Sequence, residues 1–263
     1  MFTDIDFAAG LADQGIRHGK YLIKIASNDV ERKASQRLRY LVFNEELGEG
    51  IAENSASGLD VDDFDSICDH LLIYKDDDLV GTYRLLSGMS KPAEGFYTQT
   101  EFELGDFHLN FEKAAEIGRV CIRPDARKRV TLMVLFWGLR TYLTLKRAQY
   151  LFGCGSLAKM THDDAEATYQ QLCSMGVVDF PRGVGPHSKN TFQGTASRGV
   201  AKIPPLVAAY LDFGARILGR PAYDPVFGCH DLLILLDIDH ITERGRNLLE
   251  KFSLRSDKSE SAV

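Results

Sequence analysis

The chain has 263 residues, 44% hydrophobic and 26% charged, enough to bury one large or two small cores, which excludes a disordered or fibrous protein. A formal net charge of −6 excludes a generally basic nucleic-acid binder. The longest apolar stretch, Val130 to Leu139, stops at Arg140, short of the roughly 20 residues a membrane-spanning helix needs.

Met1 to Gly10 carries Asp4 and Asp6 and lacks the basic-then-apolar pattern of a secretory signal. Residues 1–19 therefore read as an N-terminal segment ahead of a single domain over 20–252, with a C-terminal extension inside it. Tyr21 to Ala26 is a short apolar strand. Ser27-Asn28-Asp29 then offers helix-start chemistry, with Glu31 three residues after Asn28 in a capping-box-like arrangement. That helix runs to about Leu47, with Val30, Ala34, Leu38 and Val42 on one stripe and Arg39, Phe43 and Glu46 on a neighbouring one. Gly48 to Asp69 reads as a long acidic loop of the kind that serves as a lid or binding loop. His70 to Tyr74 and Leu79 to Leu86 form a hairpin joined by Lys75-Asp76-Asp77-Asp78. A further loop, Ser87 to Gly95, leads through Phe96 and Tyr97 to a strand over Ala115 to Ile122.

Val130 to about Arg147 is helical and apolar nearly all round, as suits a helix buried between layers. Tyr150 to Cys154 is a central strand and His162 to Met175 a helix. Val177 to Ala201, rich in Gly, Pro, Ser and Lys, suits a long loop or edge structure. Pro204-Pro205 opens a helix over Leu206 to Leu218, proline being suited to the first turn. Asp231 to Asp237 is an apolar strand. Asp239 begins a final helix, and 253–263 is a polar tail expected to be disordered. Hairpins with intervening helices imply an α/β protein built as a three-layer mixed sheet with helices on both faces.

Charge is unevenly distributed along this plan. Glu45 to Asp78 holds twelve acidic residues against Lys75 alone, and Ile117 to Tyr150 holds eight basic residues against Asp125 alone. Two solvated faces of opposite sign would explain this, as would a site for a cationic group beside one for an anionic partner. Five scattered cysteines (Cys68, Cys121, Cys154, Cys173, Cys229) form no CxxC pair, which favours reduced cytosolic thiols over disulfides or a zinc site. No metal and no bound cofactor is expected.

The segment Glu116-Ile117-Gly118-Arg119 contains a contradiction. Strand side chains alternate faces, so Glu116 and Arg119 should point opposite ways. Gly118 between them suggests a bulge, which would bring both onto one face and free backbone N–H groups to receive a developing oxyanion. A surface ion pair on an edge strand is the plainer alternative. Cys121 lacks a histidine at a telling position, and His230-Asp231 has the form of a base and its orienter but opens a buried strand.

Arg39-x-x-x-Phe43, Asp62-x-x-Asp65, Gly81-x-x-Arg84-Leu85-Leu86 and Glu116-x-Gly118-Arg119 stand in an order and spacing similar to acyl-homoserine-lactone synthases. Those enzymes have an acetyltransferase-like (GNAT) fold and take their acyl group from acyl carrier protein. A neighbouring family resembles more of the chain. Cys68-Asp69-His70-Leu71-Leu72, Gly95-Phe96-Tyr97-Thr98-Gln99-Thr100-Glu101-Phe102 and Gly118-Arg119-Val120-Cys121-Ile122-Arg123-Pro124 look like ornithine-lipid-type N-acyltransferases, often called hemolysin-like. Ile203-Pro204-Pro205-Leu206 and Tyr223-Asp224-Pro225-Val226-Phe227-Gly228 extend that match, which spans about residues 20 to 240.

The resemblance implies transfer of a 3-hydroxyacyl chain from the phosphopantetheine of acyl carrier protein to the α-amine of L-ornithine, the first step of ornithine lipid synthesis. Glu116, Gly118 and Arg119 would be catalytic, Glu116 as base directly or through a water. Arg84 or Arg119 would hold the acceptor's carboxylate. Asp62 and Asp65 would either neutralise its side-chain ammonium or anchor the loop, with Arg39 and Phe43 packed behind that acceptor site. The glycine-bearing pyrophosphate turn of acetyl-CoA enzymes is replaced by Arg123-Pro124-Asp125-Ala126-Arg127-Lys128-Arg129. Arg123, Arg127, Lys128 and Arg129 thus become candidates for carrier-protein binding. The rival readings are an N-acyl-amino-acid or acyl-homoserine-lactone synthase with another amine, and a non-catalytic carrier-protein-binding regulator. A cytoplasmic protein is expected, with an amphiphilic product that favours peripheral contact with the inner membrane face.

Overall fold

The computed structural model describes residues 5–93, 95–105 and 110–248. The expected polar tail lies outside them. In chain order the elements open with α1 (Ile5–Ala9), β1 (Ile16–His18), β2 (Tyr21–Ile25) and α2 (Asp29–Tyr40). Ile16–His18, ahead of Lys20, belongs to the sheet, where β1 pairs antiparallel with β2. Asn28 caps α2 by accepting the Glu31 N–H at 3.0 Å, and Glu31 accepts the Ser27 N–H in return. The helix continues to Leu47 as expected, but widens into a π-helical turn over Leu41–Leu47 before Gly48 ends it in the left-handed conformation. Its inward stripe differs from the apolar pattern at one end. Val30 is exposed, Leu38 and Val42 are buried, and Arg39 is sealed completely.

β3 (Asp69–Lys75) and β4 (Asp78–Ser87) form the expected hairpin. Asp76 and Asp77 both take positive φ, the conformation of a tight two-residue turn whose twist matches its strands. Then follow β5 (Phe102–Leu104), β6 (Ala114–Ile122), α3 (Arg129–Leu145) and β7 (Tyr150–Leu157). Next come α4 (His162–Ser174), β8 (Val178–Asp179), β9 (Val184–Pro186) and α5 (Pro205–Phe213). β10 (Arg216–Leu218), β11 (Ala222–Asp224) and β12 (Cys229–Asp237) complete the strands, and residues 243–248 are helical.

One expected boundary is corrected. Leu206 to Leu218 is not one helix, because Gly214 turns left-handed and stops α5. Ile217 and Leu218 are then buried as β10, between β12 and β8.

The main sheet runs β1-β2-β3-β4-β6-β7-β12-β10-β8, with β11 also paired to β12. All its contacts are antiparallel except β6–β7 and β10–β8. α3 packs on β2, β3 and β4 with α1 beneath it, while α2 packs across β3, β4 and β6. Phe136 of α3 stacks on Phe213 of α5 at 4.5 Å, placing α5 on the α3 side. Helices therefore cover both faces of a mixed sheet, the three-layer arrangement the sequence implied. Among the described residues no helix is long and apolar enough to cross a membrane.

The parallel pair β6–β7 positions the site. Its register runs from Ala114↔Tyr150 to Ile117↔Gly153 and ends there, although β6 continues to Ile122 and β7 to Leu157. Each strand keeps its outer partner, β4 or β12, while the inner edges part. Gly153 sits at the fork, where a Cβ would lie 2.1 Å from the Ile117 carbonyl oxygen. Only glycine lets the two backbones converge there before they separate.

Candidate active site

A cavity of about 210 Å³ opens in that fork. It exceeds the roughly 150 Å³ that accommodates benzene, room for a small molecule. Phe43 and Leu47 line it from the α2 side, and Val207 and Tyr210 from α5, so it passes through the sheet. Arg84, Glu116, Gly118 and Arg119 face it together. The bulge that would bring Glu116 and Arg119 onto one face is present: Tyr83 alone, between Thr82 and Arg84 of β4, opposes two residues of β6, Arg119 and Val120, between Gly118 and Cys121. The strained position is one residue later than expected. Arg119 carries φ 49°, whereas a Cβ on Gly118 would meet nothing within 4 Å. A left-handed arginine in a strand costs about 1–2 kcal/mol and is held by its contacts.

Those contacts are extensive. Arg119 Nη2 donates to Asp62 Oδ2 at 2.8 Å, its Nε lies 3.4 Å from Asp60 Oδ2, and its guanidinium stacks 4.0 Å over the Phe227 ring. Arg84 Nη1 donates to Asp62 Oδ1 at 2.5 Å and lies 3.6 Å from Asp65 Oδ2. Arg39, away from the cavity wall, donates from Nε to Asp60 at 2.7 Å and from both terminal nitrogens to Asp65 at 2.7 and 2.9 Å. Three arginines and three aspartates thus balance one another in a buried network. Asp62 and Asp65 also form a reciprocal capping box on the short helix Asp63–Ser66, which pins the acidic loop to the strands. Burial opposes ionisation of both carboxyls. The Arg84 and Arg119 charges at Asp62, and the Arg39 hydrogen bonds at Asp65, outweigh it and hold both below the usual carboxylate range.

Glu116 is buried, and each of its oxygens accepts a backbone N–H: Oε2 from Tyr97 at 3.0 Å and Oε1 from Thr98 at 2.6 Å. Burial raises its pKa, partly offset by those donors and by the Arg84 charge. A raised, fixed carboxylate at a cavity wall is a usable proton acceptor.

The basic turn lies apart from the cavity lining. Arg123 is bonded to Asp125 at 2.7 Å and Arg127 bidentately to Glu46 at 2.5 and 2.6 Å. Lys128 and Arg129, exposed at the start of α3, have no ion pair among the described residues. Burial pushes the Cys121 thiol up to about 12, which removes it as a nucleophile at neutral pH. His230 and Asp231 occupy successive positions of β12 and do not meet. His230 Nε2 lies 2.7 Å from His162 Nδ1, while Asp231 accepts the Ser156 hydroxyl at 2.7 Å.

A second acidic group was not singled out from the sequence. Glu101, Asp224 and Asp231, all buried, place carboxylate oxygens within 4.8 Å of one another on the cavity wall. Burial, then the Asp231 and Asp224 charges, push the Glu101 carboxyl up to about 9. Asp231 is pushed up to about 6, chiefly by burial.

Residues 38–137 match a family model described as an acetyltransferase (GNAT) domain. The chain is 31% identical over 245 residues to the L-ornithine N(alpha)-acyltransferase of Rhodobacter capsulatus, covering 86% of this chain and 93% of that one. It is 29% identical over 248 residues to the same-named protein of Brucella abortus, covering 87% and 88%. The chain belongs to the L-ornithine N(alpha)-acyltransferase family. It is an acyltransferase with a GNAT fold. FeeM, an N-acyl amino acid synthase from uncultured soil microbes, shares that fold at TM-score 0.51 and 12% identity, covering 84% of this chain and 93% of that one.

All three members of this acyltransferase's second acidic group lie inside segments already singled out, Glu101 in Gly95–Phe102, Asp224 in Tyr223–Gly228 and Asp231 beside His230. Their convergence carried no spacing signal, because residues 101, 224 and 231 meet only through β11, β12 and the turn before β5.

Proposed function

We propose that this acyltransferase moves a 3-hydroxyacyl chain from acyl carrier protein to the α-amine of L-ornithine, the first acylation in ornithine lipid synthesis. The observation that carries the reading is the cavity in the β6–β7 fork, which presents Glu116 and two arginines to one small space. The names borne by the relatives supply the acceptor.

In this reading Glu116 takes the proton of the α-ammonium, directly or through one water. The free amine attacks the thioester carbonyl, and N–H groups around the Gly118–Arg119 bulge receive the oxyanion. Collapse breaks the C–S bond, the phosphopantetheine thiolate leaves and takes up the second proton of the attacking nitrogen, and Glu116 returns the first to solvent. The products are the amide and the free carrier thiol, with no acyl-enzyme. Arg84 and Arg119 orient the acceptor's carboxylate. Asp62 and Asp65 serve as loop anchors, because the arginines already engage both; Arg39 supports them, and Phe43 lines the cavity on that side. Lys128 and Arg129, with Arg123 and Arg127 flanking, meet the acidic carrier protein. The amphiphilic product suits release at the cytoplasmic face of a membrane.

The test is to incubate the pure chain with 3-hydroxyacyl carrier protein and a panel of amino acids, then analyse the products by mass spectrometry. An ornithine adduct is expected. A lactone, an adduct of another amino acid only, or carrier binding with no product would overturn the reading.

A further inference from the structure

The two acidic groups in this molecule are treated in opposite ways. Asp60, Asp62 and Asp65 are matched by three arginines, whereas no Lys or Arg side chain is ion-paired to Glu101, Asp224 or Asp231 among the described residues. Each of the latter is held on one side by the protein. Asp224 accepts the Tyr97 hydroxyl at 3.2 Å and the Val226 N–H at 2.7 Å. Asp231 accepts the Ser156 hydroxyl, and Glu101 Oε1 accepts the Cys154 thiol at 3.7 Å. Glu101 Oε2 is buried and has no hydrogen-bond partner, although the residue is only 3% exposed. A buried carboxyl oxygen left without any hydrogen-bond partner at a cavity wall marks the place of a missing one. Burying like charges together is costly without a compensating cation.

We propose that Glu101, Asp224 and Asp231 form the subsite for the side-chain ammonium of the acceptor, selecting a diamino acid by its second cationic end. The assignment rests on the acceptor reading above. Its geometry fits: an ammonium donating three tetrahedral hydrogen bonds of about 2.8 Å places its acceptors about 4.6 Å apart, within the 4.8 Å that contains these oxygens. Tyr97 joins the two ends of such a ligand. Its ring lies beneath the Arg84 and Arg119 guanidinium groups at 5.5 and 5.3 Å, and its hydroxyl reaches Asp224. The arginines thus face an α-carboxylate while the triad faces the far ammonium. In the empty cavity Glu101 holds a proton at neutral pH, kept there by burial and by the facing Asp231 and Asp224. Tyr97, Cys154, Cys229, Glu116, Arg84 and Arg119 are among the other titratable or charged groups lining that cavity, and the Cys229 thiol donates to Asp231 at 3.4 Å. Arrival of the ammonium displaces the Glu101 proton to solvent, leaving a carboxylate–ammonium pair.

The experiment compares ornithine with norvaline, which has the same carbon chain and no terminal amine, in wild type, Glu101→Gln and Asp231→Asn. Expected are a kcat/KM for norvaline at least about 100-fold below that for ornithine, a preference reduced at least tenfold in both variants, and an unchanged or raised Tm for ligand-free Glu101→Gln. Norvaline used within threefold of ornithine would overturn the subsite while leaving ornithine acylation intact. So would a lowered Tm with the preference retained. If no amino acid is acylated, calorimetric titration with ornithine judges the subsite separately. Saturable binding lost in Glu101→Gln supports it, and absence of binding overturns it. Tight Mg²⁺ binding abolished by Glu101→Gln, with ornithine binding untouched, would also overturn it.

Discussion

Asp65→Asn isolates the buried charge network that fixes the acidic loop. The substitution keeps volume but removes a carboxylate bonded twice to Arg39, a side chain with no solvent exposure, at 2.7 and 2.9 Å. The asparagine amide would also turn an N–H₂ toward guanidinium donors. Removing one partner of such a buried pair costs about 3–5 kcal/mol, which for a chain of this size lowers Tm by about 6–20 °C. Glu46→Gln is the control, because Glu46 and Arg127 pair at the surface with 31% and 42% exposure, where such pairs contribute under about 1 kcal/mol. Urea unfolding followed by circular dichroism measures both, with equal m-values confirming a common denatured state. The acid limb gives a further check. Against the opposing effect of burial, Arg39 holds the Asp65 carboxyl below its unfolded range. Its contribution is therefore complete above about pH 4 and is lost as pH falls further. The asparagine variant should show a shallower acid limb. A loss under 1 kcal/mol, or one equal to that of Glu46→Gln, would refute the reasoning.

Glu116→Gln should lower kcat by about 10²–10⁴-fold with donor binding retained, measured by single-turnover kinetics and carrier-protein titration. Gly153→Ala drives a Cβ into the Ile117 carbonyl, so unfolding free energy should fall by about 1–3 kcal/mol together with kcat/KM. Reversing Lys128 and Arg129 to Glu should raise KM for carrier protein and flatten its salt dependence, with KM for the amino acid unchanged. The raised Glu101 carboxyl means the folded state binds more protons than the unfolded one from the ordinary glutamate range to about 9. Stability should therefore decline across that window by at most about 1.4 kcal/mol per pH unit, a slope that Glu101→Gln removes in denaturation curves at several pH values.

Periodicity and turn chemistry made most of the fold legible: the Asn28 cap, the Asp76–Asp77 hairpin turn and the apolar helix on Val130–Leu139 all lie where local rules put them. The failures have local causes. Leu206–Leu218 has helical composition throughout, and the change to strand at Arg216 depends on the left-handed Gly214 and on a vacancy beside β12. Val30 looks like core by spacing, yet α2 turns its Arg39 side inward because Asp60 and Asp65 bind the guanidinium there. The bulge was readable from the clash between charge spacing and strand alternation, but its strained residue was not. Arg119 occupies a conformation that favours glycine because Asp62 and Phe227 hold its side chain. The triad was invisible in one dimension. Its members lie more than a hundred residues apart at the extremes, and no spacing joins Asp231, read beside His230, to Glu101 or Asp224.

The most direct measurement is the regiochemistry of the product formed from L-ornithine labelled with ¹⁵N at the α-amine and 3-hydroxyacyl carrier protein. Tandem mass spectrometry should place the acyl group on the labelled nitrogen, with the unlabelled side-chain amine free. Acyl transfer to the side-chain amine, or no acyl-ornithine at all, would contradict an α-amine held beside Glu116 with its far ammonium among Glu101, Asp224 and Asp231.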